Sequence, residues 1–327
     1  MTESPEGYDV QAVESWIRDH VDSLEPPFKW IRLEGGHSNL TYRCDDSRGE
    51  SYVLRRPPLG HVLESAHDMG REHKIIDALA DSDVPVAPNY GLCQDSGVNG
   101  ADFYVMRYVD GLILHDSILG AEVAEADRRA LGLNVIETLA KLHLINPDDV
   151  GLGDLGRKEA YLSRQINRWT KQWEASKTHE IPEMEEACRI LTETMPEQVG
   201  ATIVHGDYRL DNMMFGGPYP LTVVDWQSYF MGCPIQDVSY FMGTSLASDV
   251  RRKEERALIK HYLDVLNHYG ADLSFDDCFR YYVNFAPAGM IMALIASMIV
   301  GETERGNDMF MVMAKGSIAL CLDHERL

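Results

Sequence analysis

Apolar positions along the chain change period repeatedly, and the changes mark out its elements. Val10, Val13, Trp16, Ile17, Val21 and Leu24 recur at helical spacing until Pro26 and Pro27 end the run. From Trp30 to Arg43, short apolar or aromatic segments flank Gly35 and Gly36, which predicts strand, loop, strand. Ser51 to Arg56 alternates as a strand closed by Pro57 and Pro58; alternation sends Arg55 to one face and leaves Arg56 on the other as a surface charge. His67 to Ala80 is helical again through Met69, His73, Ile76 and Leu79. Asn89 to Cys93 and Ala101 to Val109 read as strands around the polar hairpin QDSGVNG.

After Asp110 and Gly111, taken as a hinge, the pattern is mostly helical. Helices are predicted over Ala121 to Ile145, Ala160 to Ser176, Met184 to Met195, Ile235 to Ser245, Val250 to Tyr269, Phe275 to Val300 and Asn307 to Asp323. The apolar run from Phe285 to Val300 contains Pro287 and Gly289 and is short for a bilayer, so a buried helix is expected there rather than a span. Two strand-length runs interrupt the helices, Ala201 to Val204 and Leu221 to Val224, and each ends where an acid appears. A chain of 327 residues is long for one domain, which divides it into lobes at 1–108 and 109–327.

Composition narrows the function. With 45% apolar and 25% charged residues the chain is an ordinary globular protein. A formal charge of -22 argues against nonspecific nucleic-acid binding, which needs a basic footprint, and against an anionic membrane surface. It suits a cationic substrate or serves solubility alone. Cys44, Cys93, Cys188, Cys233, Cys278 and Cys321 have no paired or metal spacing and read as reduced, mostly buried thiols. The first residues, MTESPEGYDV, lack the basic and apolar regions of a signal peptide, so a cytoplasmic protein is expected.

The candidate chemistry lies between Ile203 and Tyr229, where Asp207, Asn212 and Asp225 stand beside the two short runs. An acid just past a buried strand projects from a rigid mount into a cleft. The H-G-D-x-x-x-x-N spacing of Asp207 and Asn212 is one letter from the protein-kinase catalytic loop, and Asp225 opens D-W-Q where kinases have D-F-G. An Asp after a Gly is also a common turn and a strand-end Asp a common helix cap, but the combination with Asn at the right offset is more specific. The stretch resembles the aminoglycoside phosphotransferase family of small-molecule kinases.

That resemblance implies an α+β, bilobal, protein-kinase-like fold: a small N-terminal sheet lobe and a larger, mostly helical C-terminal lobe. It further implies ATP and Mg²⁺ as cofactors, with Asp207 handling the acceptor hydroxyl's proton and Asn212 and Asp225 holding the metal. Gly36, His37, Ser38 and Asn39 match the loop that covers the nucleotide. Arg55 stands where kinases carry the strand lysine, a departure in which a planar fork replaces a point charge. Glu72 is its expected carboxylate partner, and Met106 to Tyr108 offer main chain to the adenine. His205 and Asp237 are read as braces of the loop, and His143 as a core histidine. No A-P-E follows, which favours a small-molecule acceptor over a protein.

The segments SYVLRRPPLGHVLESAHDMGREH and RQINRWTKQWEASKT are most similar to the phosphotransferase-like domains fused to acyl-CoA dehydrogenases. Arg164, Arg168 and Lys171 share one face of a predicted helix, with Trp169 partly beside it. In the resembled family such helices wall the acceptor cleft. A basic, aromatic wall suits a hydroxylated acyl or other acidic metabolite, whereas the net charge suits an aminoglycoside. A nucleotide-binding pseudokinase and a metal-dependent hydrolase are the remaining alternatives; the three polar residues argue against the first, and the lack of histidine-rich ligand clusters against the second.

Overall fold

The computed structural model describes residues 5–33, 39–60, 67–114, 123–154, 156, 160–195, 200–299 and 304–325. Gly36, His37 and Ser38 lie outside the described residues; Asn39 lies within them. Five strands, β1 (Lys29–Arg32), β2 (Leu40–Asp45), β3 (Ser51–Arg56), β4 (Asn89–Cys93) and β5 (Phe103–Arg107), make one antiparallel sheet in the order β1-β2-β3-β5-β4. Helix α1 (Val10–His20), capped by Asp9, is too short to persist alone. It is held by Val13 and Ile17, which are buried in one cluster with Tyr52, Leu54, Phe103 and Val105 of the sheet.

Helix α2 (Met69–Leu79) begins at Asp68, whose carboxylate accepts from the Arg71 amide at 2.9 Å. It buries Met69, Ile75, Ile76 and Leu79 toward the main core of the molecule. With one cluster under α1 and another under α2, the sheet has no solvent face at its centre. This corrects the expectation for Arg56. Far from being a surface charge it is 7% exposed, and its guanidinium donates to the carbonyls of Gly7 and Pro57. Alternation along β3 places it correctly on the opposite face from Arg55, but that face is covered too.

The polar hairpin expected between β4 and β5 contains one short turn, α3 (Ser96–Asn99). Beyond β5 come α4 (Glu125–Leu144), α5 (Tyr161–Ser176), α6 (Pro182–Glu193), α7 (Ile235–Ser245), α8 (Ser248–His268), α9 (Phe275–Asn284), α10 (Pro287–Ile299) and α11 (Glu304–Asp323). Two small antiparallel pairs are set among them: β6 (Thr202–Val204) with β9 (Phe230–Gly232), and β7 (Met213–Phe215) with β8 (Leu221–Val223). The architecture is therefore α+β, a five-stranded sheet followed by a helical part.

The helix expected from Phe275 to Val300 is two helices. Pro287 has no amide to donate, so the run breaks after Asn284 and restarts at Pro287. It is not buried throughout either. By length and composition Phe275–Ser297 could cross a membrane, and only 33% of its most apolar window is buried; Ile291, Met292, Leu294 and Ile295 on α10 are exposed.

Candidate active site

The loop between β6 and β7 is built around two backbone requirements. Gly206 has φ +82°, and a Cβ there would lie 2.4 Å from the Ser228 carbonyl oxygen. That contact excludes any side chain, which is why the loop reads H-G-D rather than H-R-D. The second requirement is an acceptor for the loop amides. Asp237, on α7 and wholly buried, accepts from His205 N at 2.7 Å and Gly206 N at 3.0 Å. His143 Nε2 lies 3.3 Å from the same carboxylate, with Nδ1 2.7 Å from Tyr262 Oη. His143 and Asp237 are thus structural supports, as read from the sequence.

His205 ties this loop to the end of β8. Its Nδ1 faces the Asp207 amide at 3.3 Å, which can only donate, and its Nε2 faces the Val224 carbonyl at 3.1 Å, which can only accept. The ring is therefore the neutral tautomer protonated on Nε2. Asn212 closes the same junction, because Val224 N donates to its carbonyl at 3.0 Å. Through these bonds the residue before Asp225 is fixed against both ends of the H-G-D-x-x-x-x-N loop.

Asp207 and Asn212 meet directly. Asn212 Nδ2 donates to the Asp207 carbonyl and to Asp207 Oδ2, each at 2.8 Å. Only an amide nitrogen can face two acceptors, so the orientation of Asn212 is determined and its Oδ1 is left to other partners. Asp207 Oδ1 accepts from Tyr240 Oη at 3.0 Å, and Arg209 Nε approaches it to 3.4 Å. Arg209 is itself buried, ion-paired with Asp211, with its guanidinium against the sulfurs of Met309 and Met313 on α11.

Asp225 has left-handed backbone, φ 62°, two residues after β8. Its Oδ1 accepts from Arg55 Nη2 at 2.8 Å, while Arg55 Nε lies 3.2 Å from Glu72 Oε2. One guanidinium thus spans two carboxylates, one from α2 and one from the D-W-Q stretch, a bridge a lysine point charge could not make in the same way. Burial opposes the Arg55 charge, but Asp225 and Glu72 outweigh it and hold the proton more tightly than usual. Burial, with Asp225 adding and Arg55 opposing, pushes the Glu72 carboxyl up to about 7. The pairing of Arg55 with Glu72 expected from the sequence is present; its extension to Asp225 is an addition the sequence does not disclose.

Two more contacts join the sheet side to the stretch after Asp225. Asn39 Nδ2 donates to Gln227 Oε1 at 3.3 Å, placing the described end of the Gly-rich loop beside D-W-Q. Arg71 donates to the Tyr229 carbonyl at 2.6 Å and lies over the Tyr229 ring at 4.4 Å. At the hinge, the amides of Arg107 and Tyr108 are engaged by the carbonyls of Pro88 at 2.8 Å and Ser51 at 3.2 Å, and Met106 lies within the β5 pairing. Gly111 lets the chain pass close to β7, since a Cβ there would lie 3.0 Å from Met214 Cβ.

The basic helix is less closely gathered. Tyr161, at the start of α5, stacks on Phe230 of β9 with ring centroids 5.5 Å apart, so the helix begins beside the β6–β9 pair that leads into the H-G-D loop. Arg164 is one turn on and half-buried, but Trp169 lies about 12 Å along the axis from Tyr161 and is exposed, as is Arg168. Among the described residues no group of three His, Cys, Asp or Glu side chains could hold a metal. Asn212 Oδ1 and Asp225 Oδ2 are hard oxygen donors with no donor bonded to them among the described residues. That set fits Mg²⁺, which takes few protein ligands and completes its shell with phosphates and water.

Sequence pattern does not single out Arg209, Tyr240, Arg71 or Gln227. Tyr240 has one usable signal, its spacing three residues after Asp237 on the same helix.

Comparison with known proteins agrees with this geometry. The chain is 37% identical over 219 residues to mouse acyl-CoA dehydrogenase family member 10, covering 65% of this chain and 20% of that protein. It therefore spans about a fifth of that relative's length. A Ralstonia eutropha protein crystallised as a candidate aminoglycoside phosphotransferase superposes with TM-score 0.73 at 28% identity, covering 96% of this chain and 98% of that one. The streptomycin–ATP complex of APH(2″)-IIa shares the fold, with TM-score 0.61 at 16% identity over 94% of this chain and 96% of that one. The model of the phosphotransferase enzyme family matches residues 29–273, most of the chain, and the protein belongs to that family.

Proposed function

We propose that this protein is a kinase that moves the γ-phosphoryl group of ATP to a hydroxyl of a small acidic or acyl-bearing molecule. The observation that carries the reading is the convergence of Asp207, Asn212 and Asp225, with Arg55 fixed between Asp225 and Glu72. Phosphoryl transfer needs positioning and charge neutralisation more than covalent help, and this is an array of positioned charges. Asp207, 27% exposed at its side chain and held at both oxygens, orients the acceptor hydroxyl and receives its proton. Asn212 Oδ1 and Asp225 Oδ2 would hold Mg²⁺. The metal, when bound with ATP, neutralises charge on the phosphoryl oxygens.

Arg55 keeps Asp225 in place and, as a fork, can also take a phosphate oxygen. At the hinge, the engaged Arg107 and Tyr108 amides leave Val109 N as the nearest amide without a bonded partner among the described residues, so an adenine edge is met there. The acidic or acyl-bearing acceptor is supported by Arg164 beside the Tyr161–Phe230 stack and by the acyl-CoA dehydrogenase name of the relative. MgATP consumption, with mass detection of product, over hydroxyacyl-CoAs, sugars, amino alcohols and aminoglycosides tests this. Phosphorylation of an acidic acceptor is expected. Efficient turnover of kanamycin-like amines with none on acidic acceptors would reject the acceptor class, and no transfer to any hydroxyl would reject the kinase.

A further inference from the structure

One face of α7 carries both Asp237 and Tyr240. Three residues apart on a helix, they project side by side, and both reach the same loop. Asp237 takes the backbone amides of His205 and Gly206, and Tyr240 takes the side chain of Asp207 through Oη at 3.0 Å. Asp207 is thereby gripped at both oxygens, by Asn212 Nδ2 on Oδ2 and by Tyr240 on Oδ1. The Arg209 Nε is near the same oxygen at 3.4 Å but makes no hydrogen bond. Without the phenol, rotation of the carboxylate about its last bond would be opposed from one side only.

The Tyr240 ring has little freedom of its own. It is 4% exposed and clustered with Ala293 of α10 and Met313 of α11. Burial, with the Asp207 carboxylate beside it, holds the phenol proton in place, so Tyr240 is a donor throughout. Its other charged neighbours are Arg209 and Asp211. On the reading that Asp207 handles the acceptor's proton, we propose that Tyr240 is a positioning residue that sets the plane of the Asp207 carboxylate and so determines which oxygen faces the acceptor.

Tyr240→Phe removes the hydroxyl and keeps the ring's packing. The probe is MgATP with water as acceptor, read as phosphate release. The expected outcome is a kcat lowered about 10-fold or more, the usual worth of one hydrogen bond to a charged group, with KM for MgATP within about twofold of wild type. Because Tyr240 acts through Asp207, Tyr240→Phe should cost nothing further in an Asp207→Asn background. A wild-type kcat in Tyr240→Phe, or an equal loss in both backgrounds, overturns the proposal. If the wild type neither releases phosphate from MgATP nor phosphorylates any acceptor of the panel, the kinase reading fails by itself. Crystal structures then decide the positioning role: a rotated Asp207 carboxylate in Tyr240→Phe supports it, and an unmoved one overturns it.

Discussion

Replacing Asp237 with alanine removes the acceptor on which the H-G-D loop is hung. Three donors converge on this wholly buried carboxylate: His205 N at 2.7 Å, Gly206 N at 3.0 Å and His143 Nε2 at 3.3 Å. A buried donor left without a partner costs about 1–3 kcal/mol. The two short backbone bonds therefore account for about 2–6 kcal/mol, and the longer contact from His143, which keeps Tyr262, adds least. Set against a typical total of about 5–15 kcal/mol, this is a large fraction of the stability of the fold. Asp237→Asn retains one acceptor and turns an NH₂ group toward an amide, so its loss is smaller. Urea unfolding of the three proteins measures both, with an unchanged m-value confirming that the same surface is exposed. Activity should fall as well, because a displacement of about 1 Å at the reacting groups can cost about 100-fold. An Asp237→Ala protein within about 0.5 kcal/mol of wild type, as for an ordinary surface substitution, would refute the bracing role.

Gly206→Ala places a methyl group where the Ser228 carbonyl sits and imposes a left-handed alanine; a destabilisation of at least about 1–2 kcal/mol, with loss of turnover, should appear in the same denaturation and kinetic assays. Asp225→Ala should abolish productive Mg²⁺-nucleotide binding, read by titration calorimetry with MgATP. Glu72, raised to about 7 against about 4.3 when unfolded, binds its proton more tightly in the folded state; the stability it contributes is present below about 4.3 and is lost as pH rises through about 7. Wild type should therefore weaken relative to Glu72→Gln between pH 5 and 8, in urea titrations at each pH. Charge reversal at Arg164 and Arg168, both of which act electrostatically on Tyr161 of the Tyr161–Phe230 stack, should raise KM for an acidic acceptor and leave KM for ATP nearly unchanged.

Local spacing makes part of this site legible in the amino-acid sequence. Five residues from Asp207 to Asn212 suffice for the side chains to meet across a short loop, and the strand end before Asp225 fixes where that acid emerges. Arg55 and Glu72 are paired beforehand only through the family resemblance, and the ion pair is present at 3.2 Å. Alternation fails for Arg56, since it states which face a side chain takes and not whether that face is covered. Periodicity fails between Phe275 and Val300 because apolar spacing continues across Pro287, where the helix breaks, and states nothing of the exposure of α10. Tyr240, apart from its spacing after Asp237, and Arg209 escape for a different reason: their partners, Asp207 and the sulfurs of α11, come from distant parts of the chain.

Phosphoryl transfer at Asp207, Asn212 and Asp225, as proposed, is decided by comparing two proteins. Wild type and Asp207→Ala are each given MgATP and the best acceptor from the panel, and the phosphorylated product is quantified beside nucleotide affinity. Product formation should be lowered by about 10²–10⁴ in Asp207→Ala, the usual range for losing a positioned acid–base group, with MgATP binding largely intact. Full phosphotransfer by Asp207→Ala would contradict it.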